Sequence, residues 1–191
     1  MNEEIFPIVD ENDNIIGAKP RKDVLETDIF RVAALMLINE KGEFLLQKRH
    51  ASKKASPNLW APSCAGHVQQ GETYEDAIRR EASEEIDAKL LLSIVPYEKF
   101  FRESVTLDTG IFRRRFSQGF VSIYDTTNMP PLAPDGVEVS EIRWISPSAL
   151  QKELADSPEK FIGNMSEIVA SIGSFLANHP DFLKSDKKEK P

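Results

Sequence analysis

The sequence contains a single cysteine, Cys64, so an internal disulfide is excluded. It shows neither a basic–apolar–small leader nor an apolar run long enough to cross a bilayer, which predicts a cytoplasmic protein with no membrane partner. Positive charge is also scarce: 24 Lys and Arg stand against 31 Asp and Glu, and the net charge is -7. We therefore expect no nucleic acid polymer as a partner, and a polyanionic ligand would need a local cation such as a metal ion.

The length of 191 residues and the hydrophobic content of 40% predict one compact domain. We place this domain at residues 1–180 and expect a mobile, lysine-rich tail over 181–191. Residues 1–25 are predicted to form an N-terminal hairpin extension, because the turn-rich segment 10–14 separates two short apolar stretches.

Apolar alternation and turn residues predict five further strands, and three stretches predict helices. The helices are expected after Thr73, after Ser146, where Pro147 occupies the first helical position, and over 158–177. The strands are expected over 30–38, 44–49, 90–102, 111–124 and 137–145, with the two long ones joined through 108–110. This order predicts an α/β (α+β) fold, an α/β/α sandwich with a mixed, largely antiparallel sheet.

The first of these helices carries three glutamates. Thr73 and Asp76 form a capping-box pattern at its start. Residues four apart share a helix face, so Glu81 and Glu85 lie together, with Glu84 beside them. At about 100° per residue the pair falls within about 20° of the apolar face, whereas a solvated face would lie opposite it. Carboxylates so placed need a cation, and an oxygen-only ligand set favours Mg²⁺ or Mn²⁺ over zinc.

A glycine-containing loop precedes the helix, where the backbone can approach a ligand and free N–H groups favour an anion. The whole segment reads Gly66, five residues, Glu72, seven residues, and then Arg80-Glu81-Ala82-Ser83-Glu84-Glu85-Ile86-Asp87-Ala88. Residues 66–88 thereby resemble the Nudix box, G-x5-E-x7-R-E-U-x-E-E-x-G-U, in which U is an apolar residue. Asp87 stands where the family has Gly, and Asp is a tolerable but poorer residue for a left-handed helix end.

The resemblance covers most of residues 5–155, including Leu45-Leu46-Gln47-Lys48-Arg49 and the strand at 138–144. It implies a Nudix-type fold and divalent-metal-dependent hydrolysis of a phosphoanhydride bond in a nucleoside diphosphate-linked or other organic diphosphate. The roles that it implies are Glu81 and Glu85 as the principal metal ligands, Glu84 as a further ligand or water-orienting carboxylate, Arg80 as the charge that fixes the glutamates, and Glu72 as a brace of the loop. Family members often form homodimers, so a homodimer is a further expectation.

The sequence leaves two candidate positions for the general base that activates the attacking water. Glu84 in the box is one candidate, and a carboxylate in the segment 135–141 is the other. Within that segment Glu138 is the leading candidate, because it begins a predicted strand beside a Pro-rich loop that could close over a substrate. Its ordinary role would be a surface ion pair.

Basic residues in two places are candidates for binding the substrate, together with Gly66. Alternation along a strand places Arg113 and Arg115 on one face and Arg114 on the other. A solvated strand edge is the ordinary interpretation, but if that face lines the site, the two arginines offer phosphate contacts. The second group is Lys48, Arg49, Lys53 and Lys54.

A rival function follows from residues 9–17 and 59–67, which are most similar to the isopentenyl-diphosphate-isomerase-like branch of the superfamily. That isomerase needs a cysteine directly before a Gly-His pair, and this sequence has Ala65 there. Cys64 lies one place early, which on an extended segment turns its side chain to the other face. His67 matches an isomerase metal ligand, although a lone loop histidine more often serves as a hydrogen-bonding residue. A third hypothesis is a non-catalytic ligand-binding module, but such modules usually lose the box carboxylates.

Overall fold

The structure, a computed structural model, describes residues 3–91, 93–105, 110 and 112–183. Most of the tail and most of the connection at 108–110 lie outside these residues. The strands are β1 Ile5–Val9, β2 Ile15–Pro20, β3 Ile29–Asn39, β4 Phe44–Arg49, β5 Trp60–Pro62, β6 Cys64–His67, β7 Val95–Val105, β8 Phe112–Tyr124 and β9 Val139–Ile145. The helices are α1 Tyr74–Ile86, α2 Pro147–Asp156 and α3 Met165–Asn178, with 3-10 turns at Arg21–Asp23 and Pro158–Lys160.

All of these strands belong to one mixed sheet built around β3. β3 and β8 run parallel and pair from Ile29 opposite Arg114 to Asn39 opposite Tyr124. The other described pairs are antiparallel: β1 pairs with β2 and β3, β4 with β3, β5 and β9, β6 with β3, and β7 with β8. The prediction of a mixed, largely antiparallel sheet is confirmed.

Each face of the sheet is covered by helices, as its alternating apolar residues require. Leu35 and Leu37 of β3 pack with the buried face of α1, whereas Met36 and Ile38 pack with α2 and α3. The α/β/α sandwich predicted from the sequence is therefore confirmed. We call the two sides of the sheet the α1 face and the α3 face.

A buried hydroxyl lies where β3 and β4 part. The two strands pair at Ile38 and Phe44, and the next step of the hairpin is occupied by Ser63. Its Oγ accepts a hydrogen bond from the Leu37 amide at 2.8 Å and donates to the Leu45 carbonyl at 2.8 Å. On either side of Ser63 the chain then follows a different strand, because β5 pairs with β4 and β6 pairs with β3. A gap between β4 and β6 results.

Two predicted strand starts were too early. β7 begins at Val95 rather than at residue 90, because Leu91 and Ile94 are buried beside α1 without strand pairing. β9 begins at Val139 rather than at residue 137. The register of β9 shifts between Lys48 and Arg49 of β4, and this bulge places Val139 in the core while Glu141 lies beside Lys48. Simple alternation predicts that Val139 and Glu141 share a face, and the bulge makes that prediction wrong.

The last predicted helix is divided in the structure. A 3-10 turn occupies Pro158–Lys160, and Phe161 then forms a β-bridge with Trp60. The amide of Ile162 donates to the Trp60 carbonyl at 3.0 Å, so the backbone is held extended before α3 begins at Met165. This contact is distant in sequence, and the amphipathic pattern could not reveal it.

Candidate active site

Local signals define both ends of α1. The Thr73 amide donates to Asp76 Oδ2 at 3.0 Å and the Asp76 amide donates to Thr73 Oγ1 at 3.1 Å, which completes the predicted capping box. At the other end Asp87 adopts the left-handed conformation, with φ 56°, and its amide donates to the Ala82 carbonyl. The helix thus ends where the Nudix pattern requires, although aspartate replaces glycine.

Glu85 extends from α1 into the gap between β4 and β6. Its side chain is buried, with the residue only 4% exposed, and it accepts a hydrogen bond from Gln47 Nε2 of β4 at 3.1 Å. Burial first, and then the charges of Glu81 and Glu138, raise the pKa of Glu85 to about 8, while a hydrogen bond from the Ala65 backbone of β6 opposes the rise. A buried carboxylate between two others favours a proton or a cation.

Glu81 lies directly over Gly66 of β6. A Cβ atom added to Gly66 would lie 1.9 Å from Glu81 Oε1 and 2.5 Å from Glu81 Cγ. Only glycine leaves room for this side chain. Burial raises the pKa of Glu81, and the neighbouring Arg80 guanidinium acts in the opposite direction.

Arg80 connects the glutamates to the preceding loop. Its Nε donates to Glu72 at 2.7 Å, and its Nη1 donates to Glu81 at 2.7 Å and to Glu84 at 3.2 Å. Glu72 in turn accepts from the Gln69 amide at 2.9 Å. These contacts show Arg80 beside the glutamates and Glu72 on the loop, where the resemblance implies them. Glu84 is the outermost of the three glutamates, with 61% of its side chain exposed.

The carboxylate cluster, defined as Glu81, Glu84 and Glu85, fits a hard divalent cation by its chemistry. Within the described part of the chain, no group of three or more His, Cys, Asp or Glu side chains is arranged to hold a metal ion as it stands. Arg80 contacts Glu81 and Glu84 where a cation would compete for the same oxygens. The ligand set is nevertheless all oxygen, and Glu85 has no cationic side chain within 4.0 Å among the described ion pairs.

Asp135 adjoins this cluster through its backbone, since its amide donates to the Glu85 carbonyl at 3.0 Å. Glu138 adjoins the cluster through its charge, which contributes to the raised pKa of both Glu81 and Glu85. It forms an ion pair with Lys53, and 48% of its side chain is exposed. Asp135 accepts hydrogen bonds from the backbone of its own turn, including the Val139 amide at 2.9 Å. Glu141 lies beside Lys48, at 3.8 Å.

The predicted substrate-binding arginines lie in two places. Arg49 donates from Nε and Nη2 to the Ala55 carbonyl, at 3.0 and 2.9 Å. Burial lowers its pKa, while the charges of Glu85 and Glu138 act in the opposite direction, so it lies at the acidic side of the site. Arg113 and Arg115 lie on β8, and Arg115 Nη1 donates to Ser104 Oγ of β7 at 3.2 Å. The structure thus brings Arg49 to the cluster and leaves the two β8 arginines beyond it.

His67 lies on the α3 face of β6, stacked on Phe6 at a ring distance of 4.5 Å and 5.4 Å from the Phe30 ring. Burial, and then the charges of Arg21 and Arg115, lower the pKa of His67 to about 3. It is therefore a neutral imidazole at physiological pH. Its aromatic contacts agree with a packing role.

Cys64 is fully buried and packs in the core on the α1 face. Burial raises the pKa of its thiol well above the ordinary value. The prediction that this side chain turns away from the Ala65 side of β6 is confirmed. The sequence prediction missed Gln47, which stands out as a polar residue within the otherwise apolar start of β4. It also missed Arg21, whose charge acts on His67.

Comparison with known proteins gives a consistent family. The NUDIX domain model matches residues 29–165. An isopentenyl-diphosphate delta-isomerase from Paenarthrobacter aurescens is 33% identical over 83% of this chain and 84% of its own length. A Nudix hydrolase from Deinococcus radiodurans is 31% identical over 88% of this chain and 94% of its own.

Solved structures show the same fold. A crystal structure from Deinococcus radiodurans has a TM-score of 0.67 and 31% identity, covering 87% of this chain and 98% of that one. The Nudix domain of Shewanella oneidensis NrtR, solved with ADP ribose, has a TM-score of 0.58 at 14% identity, covering 76% and 87%. Among the described residues, no helix is long and apolar enough to cross a membrane.

Proposed function

Since the protein belongs to the Nudix family and is a Nudix hydrolase, we propose that it cleaves a phosphoanhydride bond of an organic diphosphate by water attack at phosphorus, with Mg²⁺ or Mn²⁺ as cofactor. The observation that supports this most is the buried Glu85 carboxylate beside Glu81. The substrate is expected to be a small molecule, nucleoside diphosphate-linked or of another organic class. A cytoplasmic location and a homodimer stay predictions from the sequence.

We assign each side chain of the site a role from its position. Glu81, Glu84 and Glu85 would hold the cation, which when bound polarises a phosphoryl oxygen and lowers the pKa of a water molecule. Gln47 orients the Glu85 carboxylate by its hydrogen bond, and Gly66 gives Glu81 its space. Arg80, fixed by Glu72, keeps the glutamates in place. Arg49, two residues after Gln47 on β4 and on the same face by alternation, would bind a phosphate oxygen.

Isomerisation of isopentenyl diphosphate is the second candidate, favoured by the isomerase relative at 33% identity. The resemblance places the isomerase cysteine at position 65, and this chain has alanine there. Cys64 cannot replace it, because its thiol is buried in the core on the α1 face. The resemblance also implies a Glu-x-Glu on a later strand of the isomerase, and the corresponding strand of this chain has Arg113-Arg114-Arg115 instead. Hydrolysis is therefore the better supported reaction.

A product-resolved screen tests the two reactions together. The purified protein is incubated with Mg²⁺ or Mn²⁺, and with EDTA as control, against nucleoside diphosphates, dinucleotides, sugar nucleotides and isopentenyl diphosphate. We expect metal-dependent hydrolysis and no interconversion of isopentenyl and dimethylallyl diphosphates. Cys64→Ala should keep most of the hydrolytic activity. Interconversion that depends on Cys64 would show that the proposed reaction is wrong.

The proposed general base is Glu138 or Glu84. Glu138 lies at the rim of the cluster, and its ion pair with Lys53 ties the loop after β4 to the start of β9. The His50 amide donates to the Glu138 carbonyl at 2.8 Å, which fixes the backbone at this position. Glu84 is exposed enough to reach a water molecule from the other side. Either carboxylate can accept the proton of the attacking water only when it is ionised.

The pH–rate profile distinguishes the two carboxylates. If Glu138 is the base, Glu138→Gln should remove the acidic limb of kcat and lower turnover by roughly 10²–10⁴-fold. Lys53→Gln is the matched control, because it breaks the same ion pair and leaves the carboxylate in place. An unchanged profile in Glu138→Gln together with a lost limb in Glu84→Gln would assign the role to the box.

A further inference from the structure

Arg113 and Arg115, which we call the cationic pair, differ from most other arginines in their ion pairing. Within the residues that the structure describes, neither has a carboxylate within 4.0 Å, and only Arg49 shares this property. The arginines that do have such a partner are Arg21, Arg31, Arg79, Arg80, Arg102, Arg114 and Arg143. Their described hydrogen bonds go to neutral groups, from Arg113 to the Phe112 carbonyl at 3.1 Å and from Arg115 to Ser104 Oγ at 3.2 Å. Neutral acceptors do not balance the two charges, so the pair is suited to an anionic ligand.

Both members of the cationic pair project from the α3 face of the sheet. Arg115 lies opposite Phe30 of β3, whose ring is 5.4 Å from His67 on the same face. Arg113, two residues earlier, shares that face by alternation. Arg114 projects to the α1 face instead, where it pairs with Glu103 at 3.0 Å and lies 3.8 Å from Glu11.

The surroundings of the pair are also positive. Arg102 of β7 lies directly opposite Arg115 in the strand register. Arg102 is itself paired with Glu167 at 2.5 Å, whereas the cationic pair has no such partner among the described residues. Arg21 lies 5.9 Å above the Phe6 ring, which stacks on His67, so a further guanidinium lies on this side of the sheet.

Negative and positive charges therefore lie in two separate regions of the protein surface around β3. The carboxylate cluster lies at the gap between β4 and β6, and the cationic pair lies across β3 on the α3 face. Lys53 lies between the two regions: its ion pair with Glu138 places it at the rim of the carboxylate cluster, and its charge also acts on His67. One elongated ligand in contact with both regions would place a metal-bound diphosphate at one end and an anionic group at the other.

We propose that Arg113 and Arg115 bind a phosphate monoester of the substrate remote from the bond that is cleaved, so that the preferred substrates are organic diphosphates that carry a further phosphate. That the bound phosphate belongs to a substrate rests on the proposed hydrolysis, whereas the phosphate site itself does not. The Cα atoms of two residues that are two positions apart on a strand are about 7 Å apart, so both arginine side chains can reach one phosphate. A hydrocarbon tail would leave the same charges buried without a counter-ion.

Binding of inorganic phosphate to the metal-free protein tests the site without catalysis. In EDTA the carboxylate cluster repels phosphate, so calorimetric titration or ³¹P NMR reports binding at basic side chains, and the variants identify which of them bind. We expect Arg113→Gln and Arg115→Gln each to weaken phosphate binding by about tenfold or more. Arg115→Lys should recover part of the loss. Arg114→Gln is the matched control from the same strand, and it should bind phosphate as the wild type does.

Kinetics on pairs of substrates that differ only by one phosphate monoester then test the specificity. ADP-ribose is compared with its 2′-phosphate, and dephospho-coenzyme A with coenzyme A. We expect kcat/KM to favour the phosphorylated member of each pair by about tenfold or more. Arg113→Gln should remove that preference, whereas the control Arg114→Gln should keep it. Equal phosphate binding in wild type and both variants, or hydrolysis without any preference, overturns the inference and leaves the proposed function standing. Arginine-dependent phosphate binding in a protein that hydrolyses nothing overturns the proposed function instead.

Discussion

In Glu85→Gln, turnover of the diphosphate substrate should fall by orders of magnitude while the metal-free protein becomes more stable at pH 8. The loss of turnover is expected because the substitution removes a carboxylate that the cation needs. The gain in stability is expected because Glu85 is buried between Glu81 and Glu138, and a neutral amide ends that repulsion. The amide oxygen of the introduced glutamine can still accept the hydrogen bond from Gln47, so the fold should be kept.

The sign of the pH dependence follows from the direction of the shift. The folded protein raises the pKa of Glu85 from 4.5 to about 8. A raised pKa means that the folded state binds the proton more tightly than the unfolded state does. The contribution to stability is therefore fully present below pH 4.5 and is lost as the pH rises toward about 8. Over this window the metal-free wild type should lose on the order of a few kcal/mol. Glu85→Gln should lose less, because only the raised pKa of Glu81 then contributes from this pair.

Denaturant unfolding in EDTA at pH 5 and pH 8 measures this difference. Adding Mg²⁺ or Mn²⁺ should stabilise the wild type more at pH 8 than at pH 5, because the proton competes less for the Glu85 carboxylate at the higher pH. The same addition should stabilise Glu85→Gln little. Glu75→Gln is the matched control, because Glu75 lies on the same helix in an exposed ion pair with Arg79. Near-normal turnover in Glu85→Gln would contradict the assignment of Glu85 as a metal ligand.

Gly66→Ala should reduce turnover about as severely as Glu81→Gln does. The new methyl group would lie 1.9 Å from Glu81 Oε1 and 2.0 Å from Cδ, distances that no pair of non-bonded atoms tolerates. Because Gly66 lies on β6, paired with Ala33 of β3, the backbone has little freedom to move. The Glu81 side chain must therefore leave its place beside Arg80, and the cation loses a ligand.

Metal affinity and stability separate this effect from simple misfolding. The affinity of Gly66→Ala for Mn²⁺ should fall together with its turnover, while its unfolding in EDTA should change much less. Gly173→Ala is the control: its added methyl group meets nothing within 4 Å, and alanine within α3 should stabilise the protein by roughly 0.5–1 kcal/mol without altering turnover. Wild-type metal affinity in Gly66→Ala would show that Glu81 is not a ligand.

The parts of the site that local sequence determines could be predicted. The capping residues Thr73 and Asp76 define the start of α1, and helical spacing then places Glu81 and Glu85 together. That Arg113 and Arg115 share a face was likewise predictable, because side chains two residues apart on a strand point to the same side of the sheet.

The rest depends on contacts between distant segments. The bulge in β9 depends on its pairing with β4, and the gap that receives Glu85 depends on Ser63 parting two strands. Gln47 lies 38 positions from Glu85 in sequence, so no local pattern could connect them. The face on which the cationic pair lies follows from the parallel pairing of β8 with β3, which alternation alone does not specify.

Ser63 has a thermodynamic consequence for any ligand. Parting two strands normally leaves amide and carbonyl groups without partners, and a cleft opened in that way tends to close or to admit water. Here one hydroxyl satisfies both the Leu37 amide and the Leu45 carbonyl. The floor of the cleft is consequently preorganised: a ligand meets it already open, and no backbone hydrogen bond has to be broken for the ligand to enter.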